Sequence, residues 1–254
     1  FSRLEIYPEV YSLFSGQSET VFTDRATNTI VSKQRTDFTN LPLIVSGQNS
    51  IEQSMKLTQI PEVIDNYKVD DKSQPISVES TNIINTLPPY LFIQLKRFDY
   101  SIETQTRIKI DQKFEFEDIF DFKQFTKFEG ETKYRLIGVV LHQGEVDVGH
   151  YYSYTRLSDN QWLCLNDTGV SIVCDNIMKN ETYGSPTGST GYLLVYERFD
   201  ADALYKLPLT PNPSLLEDIQ KDNLDLIVNS VYFTPYFARF VDNLITHLDF
   251  KNES

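Results

Sequence analysis

The sequence has 254 residues, 40% of them hydrophobic and 13% aromatic, and carries a formal net charge of -13. This length supports one substantial hydrophobic core with a small appendage, and the aromatic content argues against a disordered chain. Because phosphate binding needs clustered Lys and Arg side chains, the acidic balance predicts that nucleic acid is not a partner. The acidity favours solubility, and it would also steer a basic peptide toward the surface.

Targeting and redox features are sparse. No apolar run approaches the roughly 18 residues that span a bilayer, and the first residues lack the basic start and apolar centre of a signal peptide. We therefore expect no membrane partner and a cytoplasmic location, with the nucleus as a further compartment. The two cysteines, Cys164 and Cys174, form no C-x-x-C pair, which argues against a disulfide framework. The chain begins with Phe1 rather than Met, which we interpret as a piece of a longer protein.

Five segments are rich in aliphatic and aromatic residues and are bounded by turn formers, which predicts β-strands. They are residues 90–98, 134–142, 150–157, 161–166 and 191–199. Most are nearly continuous apolar runs, so we expect central strands that are buried on both faces. Ahead of them, the more polar residues 46–74 predict a short helix followed by loops rather than a strand. Its apolar positions are Ile51, Met55 and Leu57.

The composition changes after Phe199, where prolines at positions 208, 211 and 213 interrupt the chain. We interpret residues 1–199 as one domain, 200–213 as a linker and 214–254 as a helical tail. Ser214 is a suitable cap for a first tail helix. The spacing of apolar residues predicts a second tail helix over residues 235–248.

His150 begins an aromatic segment directly after an acidic, glycine-bounded loop, residues 143–149. A turn around Ser158 predicts that this segment and residues 161–166 form an antiparallel hairpin. If the turn is centred on Ser158, Asn166 lies directly opposite His150, within reach of a hydrogen bond. An amide that orients an imidazole leaves the other ring nitrogen free to take a proton from a thiol. This arrangement is half of a Cys-His-Asn triad.

The other histidines and the cysteine of the hairpin have simpler interpretations. A lone histidine at a strand start is more often structural than catalytic, so His150 needs support beyond its position. We predict structural roles for His142, which ends a buried strand, and for His247, which falls in the tail helix. Cys164 could be a nucleophile, but its place within the same hairpin is better explained as a buried strand thiol.

Three motifs occur in order along the chain. They are LPPYLFIQLKRF at residues 87–98, GHYYSY at 149–154 with Trp162, Asn166 and Asp167 after it, and YLLVYER at 192–198. They resemble the QLKRF strand, the histidine box and the terminal strand of the ubiquitin-specific proteases. The match covers roughly residues 11–199, and the tail is similar to the region that follows the catalytic domain in the very large members.

This resemblance implies an α+β, papain-like cysteine protease fold of the ubiquitin-specific protease type. Such a fold has an antiparallel palm sheet plus fingers; here the amino-terminal thumb is missing and the helical tail follows. The resemblance makes His150 the general base, Asn166 the third triad member and Asp167 a supporting acid. The residues that it places beside the ubiquitin tail are Gln143, Gly144, Gly149, Tyr151, Asp99 and Tyr100.

Two departures from the family pattern bear on the chemistry. The family's cysteine box is absent, so we expect the catalytic Cys in the rest of the parent polypeptide. The family's fingers often hold zinc with two C-x-x-C pairs, but here the second pair would fall at Val69 and Lys72. Residues 23–26 supply no first pair. We therefore expect no metal and no other cofactor.

The resemblance implies a deubiquitinating thiol protease, with ubiquitin and ubiquitinated proteins as partners. Such an enzyme hydrolyses the (iso)peptide bond after the carboxyl-terminal glycine of ubiquitin. We expect this chain alone to be inactive, because it supplies only the His/Asn half of the triad. One alternative is a non-catalytic ubiquitin-binding scaffold. A second is an unrelated antiparallel β domain for protein assembly, which would require the ordered motifs to be accidental.

Overall fold

The computed structural model describes residues 8–70, 73–184, 188–201, 213–229 and 234–241. The chain divides into two compact units, Phe1–Tyr205 and Lys206–Ser254. The elements of the first unit are α1 (Pro8–Phe14), β1 (Gly16–Asp24), β2 (Ile30–Phe38), β3 (Asn40–Ile44), α2 (Ile51–Thr58), β4 (Glu62–Tyr67), β5 (Ile76–Thr86), β6 (Tyr90–Lys96), β7 (Phe98–Ser101), β8 (Thr106–Lys109), β9 (Ile119–Asp121), β10 (Lys133–Gly144), β11 (Gly149–Ser158), β12 (Gln161–Asn166), β13 (Gly169–Cys174), α3 (Asp175–Thr182) and β14 (Ser189–Arg198).

The main layer of the first unit is a large sheet in the order β13-β12-β11-β10-β14-β6-β3, with β9 paired to β10. Strand β3 runs parallel to β6, and the other pairs in this sheet are antiparallel. All five strands predicted from the sequence form, and they lie next to one another in this sheet. The prediction of an α+β fold with an antiparallel palm sheet is confirmed.

The core lies against the central strands β6, β10 and β14. Leu91, Ile93 and Leu95 alternate along β6 and are fully buried, as the period of two residues along a strand requires. The segment between β8 and β10 adds a set of buried aromatic rings to the same core. These are Phe114, Phe116, Phe120, Phe122 and Phe125.

The predicted strand 90–98 is divided in two by a buried arginine. Strand β6 ends at Lys96 and β7 begins at Phe98, and the side chain of Arg97 between them is fully buried. Its guanidinium donates hydrogen bonds to backbone carbonyls of β14 and of the segment after β8. Burial lowers the pKa of Arg97 to about 10, so the group remains a cation at neutral pH. The break therefore allows one guanidinium to join three stretches of backbone.

A second sheet has the order β2-β1-β5-β4 and is antiparallel throughout. The short helix predicted within residues 46–74 is confirmed as α2, where the Ser50 side chain accepts a hydrogen bond from the Gln53 amide and caps the first turn. The prediction of loops after it is wrong, because β4 forms there. Strand β4 lies at the sheet edge and is mostly exposed, so its sequence lacks the apolar alternation of a half-buried strand.

The end of the large sheet that carries β11 and β12 is more open than predicted. These strands are not buried on both faces, since Tyr151 on β11 and Leu165 on β12 are exposed. The reason is topological: β13 is the last strand of the sheet, and the outer face of β11–β13 has no covering layer within the described residues. Only the inner face, which holds Trp162, packs into the core.

The described part of the second unit is helical. Helix α4 (Pro213–Ile227) begins one residue before the predicted cap at Ser214. Residues 235–241 are also helical, while the remainder of the predicted second helix, to 248, lies outside the described residues. Most of the predicted linker 200–213 lies outside them as well, so the domain boundaries remain predictions. No helix in the described part of the chain is both long and apolar enough to span a bilayer.

Candidate active site

His150 is the second residue of β11 and pairs with Gln143 of β10 across the antiparallel ladder. Its side chain is 43% exposed. The His150 ring lies near the start of a strand, beside a turn and at the open end of the sheet. It is held by backbone on one side and is reachable from solvent on the other. This position suits a group that must exchange protons with a reacting atom.

The hairpin register differs from the predicted one by two residues. The ladder pairs Ser153 with Leu165, so Asn166 follows opposite Tyr152 rather than His150. The cause is the turn. Ser158 pairs with Gln161 around a two-residue turn, which alone would shift the register by three residues, and an irregularity after Arg156 reduces the shift to two. A shift of two residues keeps a side chain on the same face of the strand. His150 and Asn166 are therefore diagonal neighbours, which long side chains can still bridge.

The predicted contact between the two side chains forms. The Nε2 atom of His150 lies 2.6 Å from the Oδ1 atom of Asn166. An amide oxygen carries no hydrogen, so the imidazole must donate through Nε2–H. In the neutral ring this leaves Nδ1 with its lone pair, able to accept a proton.

Asp167 lies next to His150 and Asn166 but makes no close contact with the imidazole. It begins the turn between β12 and β13 with a φ of +50°, a left-handed conformation that Asp tolerates better than most residues. Its carboxylate lies 3.9 Å from Nε2 of His150 and its side chain is 78% exposed. Solvent screens such a contact, so the Asn166 amide orients the ring and Asp167 adds a weak field.

Tyrosines on β11 form the floor beneath the histidine. The Tyr152 ring lies nearly parallel to that of His150, with 6.2 Å between the ring centres. Both Tyr152 and Tyr154 donate hydrogen bonds to the carboxylate of Glu181 on α3. Burial raises the pKa of Tyr152 to about 12, so its hydroxyl stays a donor at neutral pH. Helix α3 thus fixes the strand face from which His150 projects.

Neither cysteine can serve His150 as a nucleophile. Cys164 is paired with Tyr154, four residues along β11 from His150, a distance of about 13 Å at the usual rise per residue. Cys174 pairs with Gln161 at the far end of the hairpin. The interpretation of Cys164 as a strand thiol is supported, since it packs partly buried against the core. Within the described residues, no group of three or more His, Cys, Asp or Glu side chains is arranged to hold a metal ion.

The residues predicted to border a substrate lie around two open clefts. Asp99, Tyr100 and Tyr151 line a cleft of about 550 Å³ between the β7–β8 hairpin and the β10–β11 turn. Gln143 lines a second cleft of about 430 Å³, which also contains Asn166 and Tyr152. Gly144 and Gly149 pair across the base of the turn that separates the clefts. Contact of these residues with a substrate stays a prediction.

Two further residues near the site support its backbone. His142, predicted to be structural, is 3% exposed and its ring contacts those of Phe98 and Tyr151. Burial, with the nearby Lys109 cation, lowers its pKa, so the ring is neutral at physiological pH. Lys109 reaches from β8 to the backbone of the β10–β11 turn. Such contacts join distant parts of the chain, and no local pattern reveals them.

Comparisons with known proteins agree with this geometry. The model of the family "Ubiquitin carboxyl-terminal hydrolase" matches residues 4–196. The chain is 25% identical over 268 residues to ubiquitin carboxyl-terminal hydrolase 9X of Mus musculus, which covers 78% of this chain and 10% of that protein. It is 30% identical over 202 residues to ubiquitin carboxyl-terminal hydrolase 5 of Schizosaccharomyces pombe, covering 77% of this chain and 18% of that protein.

Solved structures share the fold. A SAGA Ubp8/Sgf11/Sus1/Sgf73 DUB module bound to ubiquitin aldehyde matches with a TM-score of 0.63 and 22% identity, over 74% of this chain and 42% of that chain. This chain spans less than a fifth of the length of the two curated relatives. The family model nevertheless covers most of the chain and includes the hairpin with His150 and Asn166. The chain belongs to the ubiquitin carboxyl-terminal hydrolase family and has the fold of its ubiquitin-specific protease domains.

Proposed function

We propose that this chain supplies the general base and its orienting amide to a thiol protease that cleaves the (iso)peptide bond after the carboxyl-terminal glycine of ubiquitin. The observation that carries the proposal is the 2.6 Å contact between His150 Nε2 and Asn166 Oδ1, at an exposed end of the sheet. The nucleophile is a cysteine in another part of the parent polypeptide, because Cys164 and Cys174 are out of reach. Ubiquitin and its protein conjugates are the substrates.

The proton transfers follow from the tautomer. Nδ1 of His150 takes the proton from the cysteine thiol, and the thiolate attacks the glycine carbonyl of ubiquitin. The imidazolium returns that proton to the departing lysine amine as the carbonyl re-forms in a thioester. Water then attacks the thioester while Nδ1 accepts its proton, and the cysteine leaves as the thiol. Asn166 keeps Nε2 as the donor throughout and limits rotation of the ring.

Three features support ubiquitin as the substrate. The two clefts lie on either side of the β10–β11 turn, and each is lined by a neighbour of His150: Tyr151 follows it on β11, and Gln143 pairs with it across the ladder. The relatives with the same fold include DUB modules whose structures contain bound ubiquitin. The net charge of -13 would attract the arginine-containing tail of ubiquitin.

The test uses the parent protein with a ubiquitin carboxyl-terminal amide carrying a fluorescent leaving group. His150→Ala should lower kcat/KM by a factor of about 10² to 10⁴, the usual contribution of a general base. The control His247→Ala changes a histidine in the tail that has no part in the proposed mechanism, and it should have no effect. Undiminished turnover by His150→Ala would show that the base is another residue.

A second measurement separates the protease from a ubiquitin-binding scaffold. A ubiquitin probe with a thiol-reactive warhead should label the parent protein at one cysteine outside this chain. The isolated chain should show no turnover and no labelling of Cys164 or Cys174. Binding of ubiquitin by the parent without labelling or turnover would favour the scaffold and contradict the proposal.

A further inference from the structure

Lys109, the last residue of β8, has a buried ammonium group. Its side chain is 3% exposed, although lysine is among the residues least often buried. Such a group is stable only where hydrogen-bond acceptors replace the water it has lost. The identity of these acceptors indicates what the residue does.

Three of the acceptors are backbone carbonyls on two different segments. The Nζ atom of Lys109 donates to the carbonyls of His142 at 3.5 Å and Gly144 at 2.9 Å, and also to that of Gly188. The carboxylate of Asp111, itself half-exposed, lies 3.1 Å away and balances the charge. An ammonium has three N–H groups, so this set of acceptors uses its full donor capacity.

The carbonyls belong to the backbone that supports the catalytic histidine. His142 and Gly144 flank Gln143, the residue paired with His150 across the ladder. Gly188 directly precedes β14, which pairs with β10 on its other side. One cation therefore ties the β7–β8 hairpin to the β10–β11 turn and to the start of β14.

The His142 ring supports the opposite side of the same turn. Gly149 lies so close to this ring that a Cβ atom on Gly149 would overlap it. Within the turn, the Glu145 amide donates to the Val148 carbonyl at 3.1 Å. The β10 side of the turn is thus held by Lys109 and the β11 side is seated on His142. His150 follows Gly149 directly.

We propose that Lys109 is a positioning residue for the reaction: it holds residues 144–149 in one arrangement and so keeps His150 in contact with Asn166. The same anchor fixes the two walls of the cleft that contains Tyr100 and Tyr151. The structural role of Lys109 follows from the contacts described above, while its effect on turnover rests on the proposed function. Lys109→Met removes the donors and the charge but retains a long, unbranched side chain.

The first readout requires no catalysis. Hydrogen exchange of the Gly144, Glu145 and Gly149 amides should accelerate by about tenfold or more in Lys109→Met, as expected when charge-assisted hydrogen bonds are lost. Lys113→Met is the matched control, because Lys113 is exposed and near in sequence.

Exchange in β6 and β14 reports whether the core remains folded. If Lys109→Met loses protection throughout, Lys109→Gln, which retains two N–H donors, is compared in its place. Unchanged exchange in the turn overturns the proposal.

The second readout is turnover by the parent protein, with kcat and KM measured separately. Lys109→Met should lower kcat by about tenfold, the effect of a loss of roughly 1.4 kcal/mol in the transition state, while Lys113→Met stays within about twofold. Faster exchange with an unchanged kcat would make the anchor merely structural and would overturn the positioning role. An inactive wild-type parent with the expected exchange pattern would instead contradict the proposed function and leave the anchor intact.

Discussion

The centre of the large sheet and its β11–β13 end are built from similar residues but have different surroundings. In the centre, Leu194 and Tyr196 of β14 are fully buried in the hydrophobic core. At the end, Leu165, Val170 and Ile172 share one face and are exposed. The inner face of the same end is closed by Trp162, which is fully buried.

This difference indicates that the centre of the sheet determines the stability of the first unit, while the β11–β13 end carries the candidate active site. The central strands supply the buried area that holds the first unit together. At the end of the sheet, His150 and Asn166 lie on the same face as Trp162 but nearer the β10–β11 turn, where they are exposed and a second element can approach them. Substitutions in the centre should therefore lower the free energy of unfolding, while substitutions of the pair at the end should change turnover with little effect on unfolding.

The largest expected effect lies in the centre. Leu194→Ala should lower the free energy of unfolding by about 2 to 5 kcal/mol, because Leu194 is 0% exposed and the change leaves a cavity. Leu165→Ala, the same change at a side chain that is 37% exposed, should cost less than about 1 kcal/mol. Urea unfolding followed by the fluorescence of Trp162, the single tryptophan, measures both. Equal losses would remove the distinction between the two regions.

The second effect concerns the orienting amide. Asn166→Ala should lower kcat of the parent protein by about tenfold, since the ring loses one hydrogen bond worth roughly 1 to 1.5 kcal/mol. The free energy of unfolding should change little, because the site is open to water. A large loss of stability with unchanged kcat would assign Asn166 to the fold rather than to the chemistry.

The third effect is a pH dependence of stability from His142. Burial lowers the pKa of His142 below its ordinary value of 6.5 in the folded protein. On acidification the unfolded chain therefore binds the proton first, and the free energy of unfolding falls as the pH drops through about 6.5. His142→Phe retains an aromatic ring beside Gly149 without the titration, so its stability should fall less between about pH 7.5 and pH 5.5.

The comparison between wild type and His142→Phe isolates this contribution. Other groups titrate in both proteins, among them Glu117, whose pKa is raised by burial and whose effect on stability has the opposite sign. Urea unfolding at a series of pH values, followed by Trp162 fluorescence, gives the difference. Parallel pH profiles for the two proteins would show that His142 is not held neutral by the fold.

The smallest effect is expected at Asp167. Asp167→Asn removes the charge but tolerates the left-handed turn conformation. Because the carboxylate is 3.9 Å from His150 and 78% exposed, turnover of the parent should change by no more than about threefold. A loss as large as that of Asn166→Ala would give the two residues equal roles.

Local patterns predicted the parts of this molecule that depend on nearby residues. The five apolar strands and α2 follow from the pattern of apolar side chains, and the contact between His150 and Asn166 follows from a hairpin. The register did not follow, because the turn consists of Asp159 and Asn160 rather than being centred on Ser158, and an irregularity after Arg156 changes the alignment again without a visible signal in the residue types. The correct contact survived because the shift was two residues, which preserves the face.

Other parts depend on contacts between distant segments. Strand β4 forms because β5 offers it a partner, although its own sequence lacks the apolar alternation of a half-buried strand. The break at Arg97 reflects carbonyls supplied by two separate stretches of backbone, β14 and the segment after β8. Lys109 donates hydrogen bonds to carbonyls that lie 33 and 79 residues away in the sequence. Such relations arise only in the folded chain, and reading one segment at a time does not reveal them.

The most direct test of the central claim is the tautomer of His150. Nitrogen-15 NMR of the imidazole at about pH 8, where an ordinary histidine is neutral, distinguishes the protonated from the unprotonated ring nitrogen. We predict that Nε2 carries the proton in the wild type and that this preference weakens in Asn166→Ala. A proton resident on Nδ1 would occupy the atom that must receive the thiol proton, and it would contradict the assignment of His150 as a base oriented by Asn166.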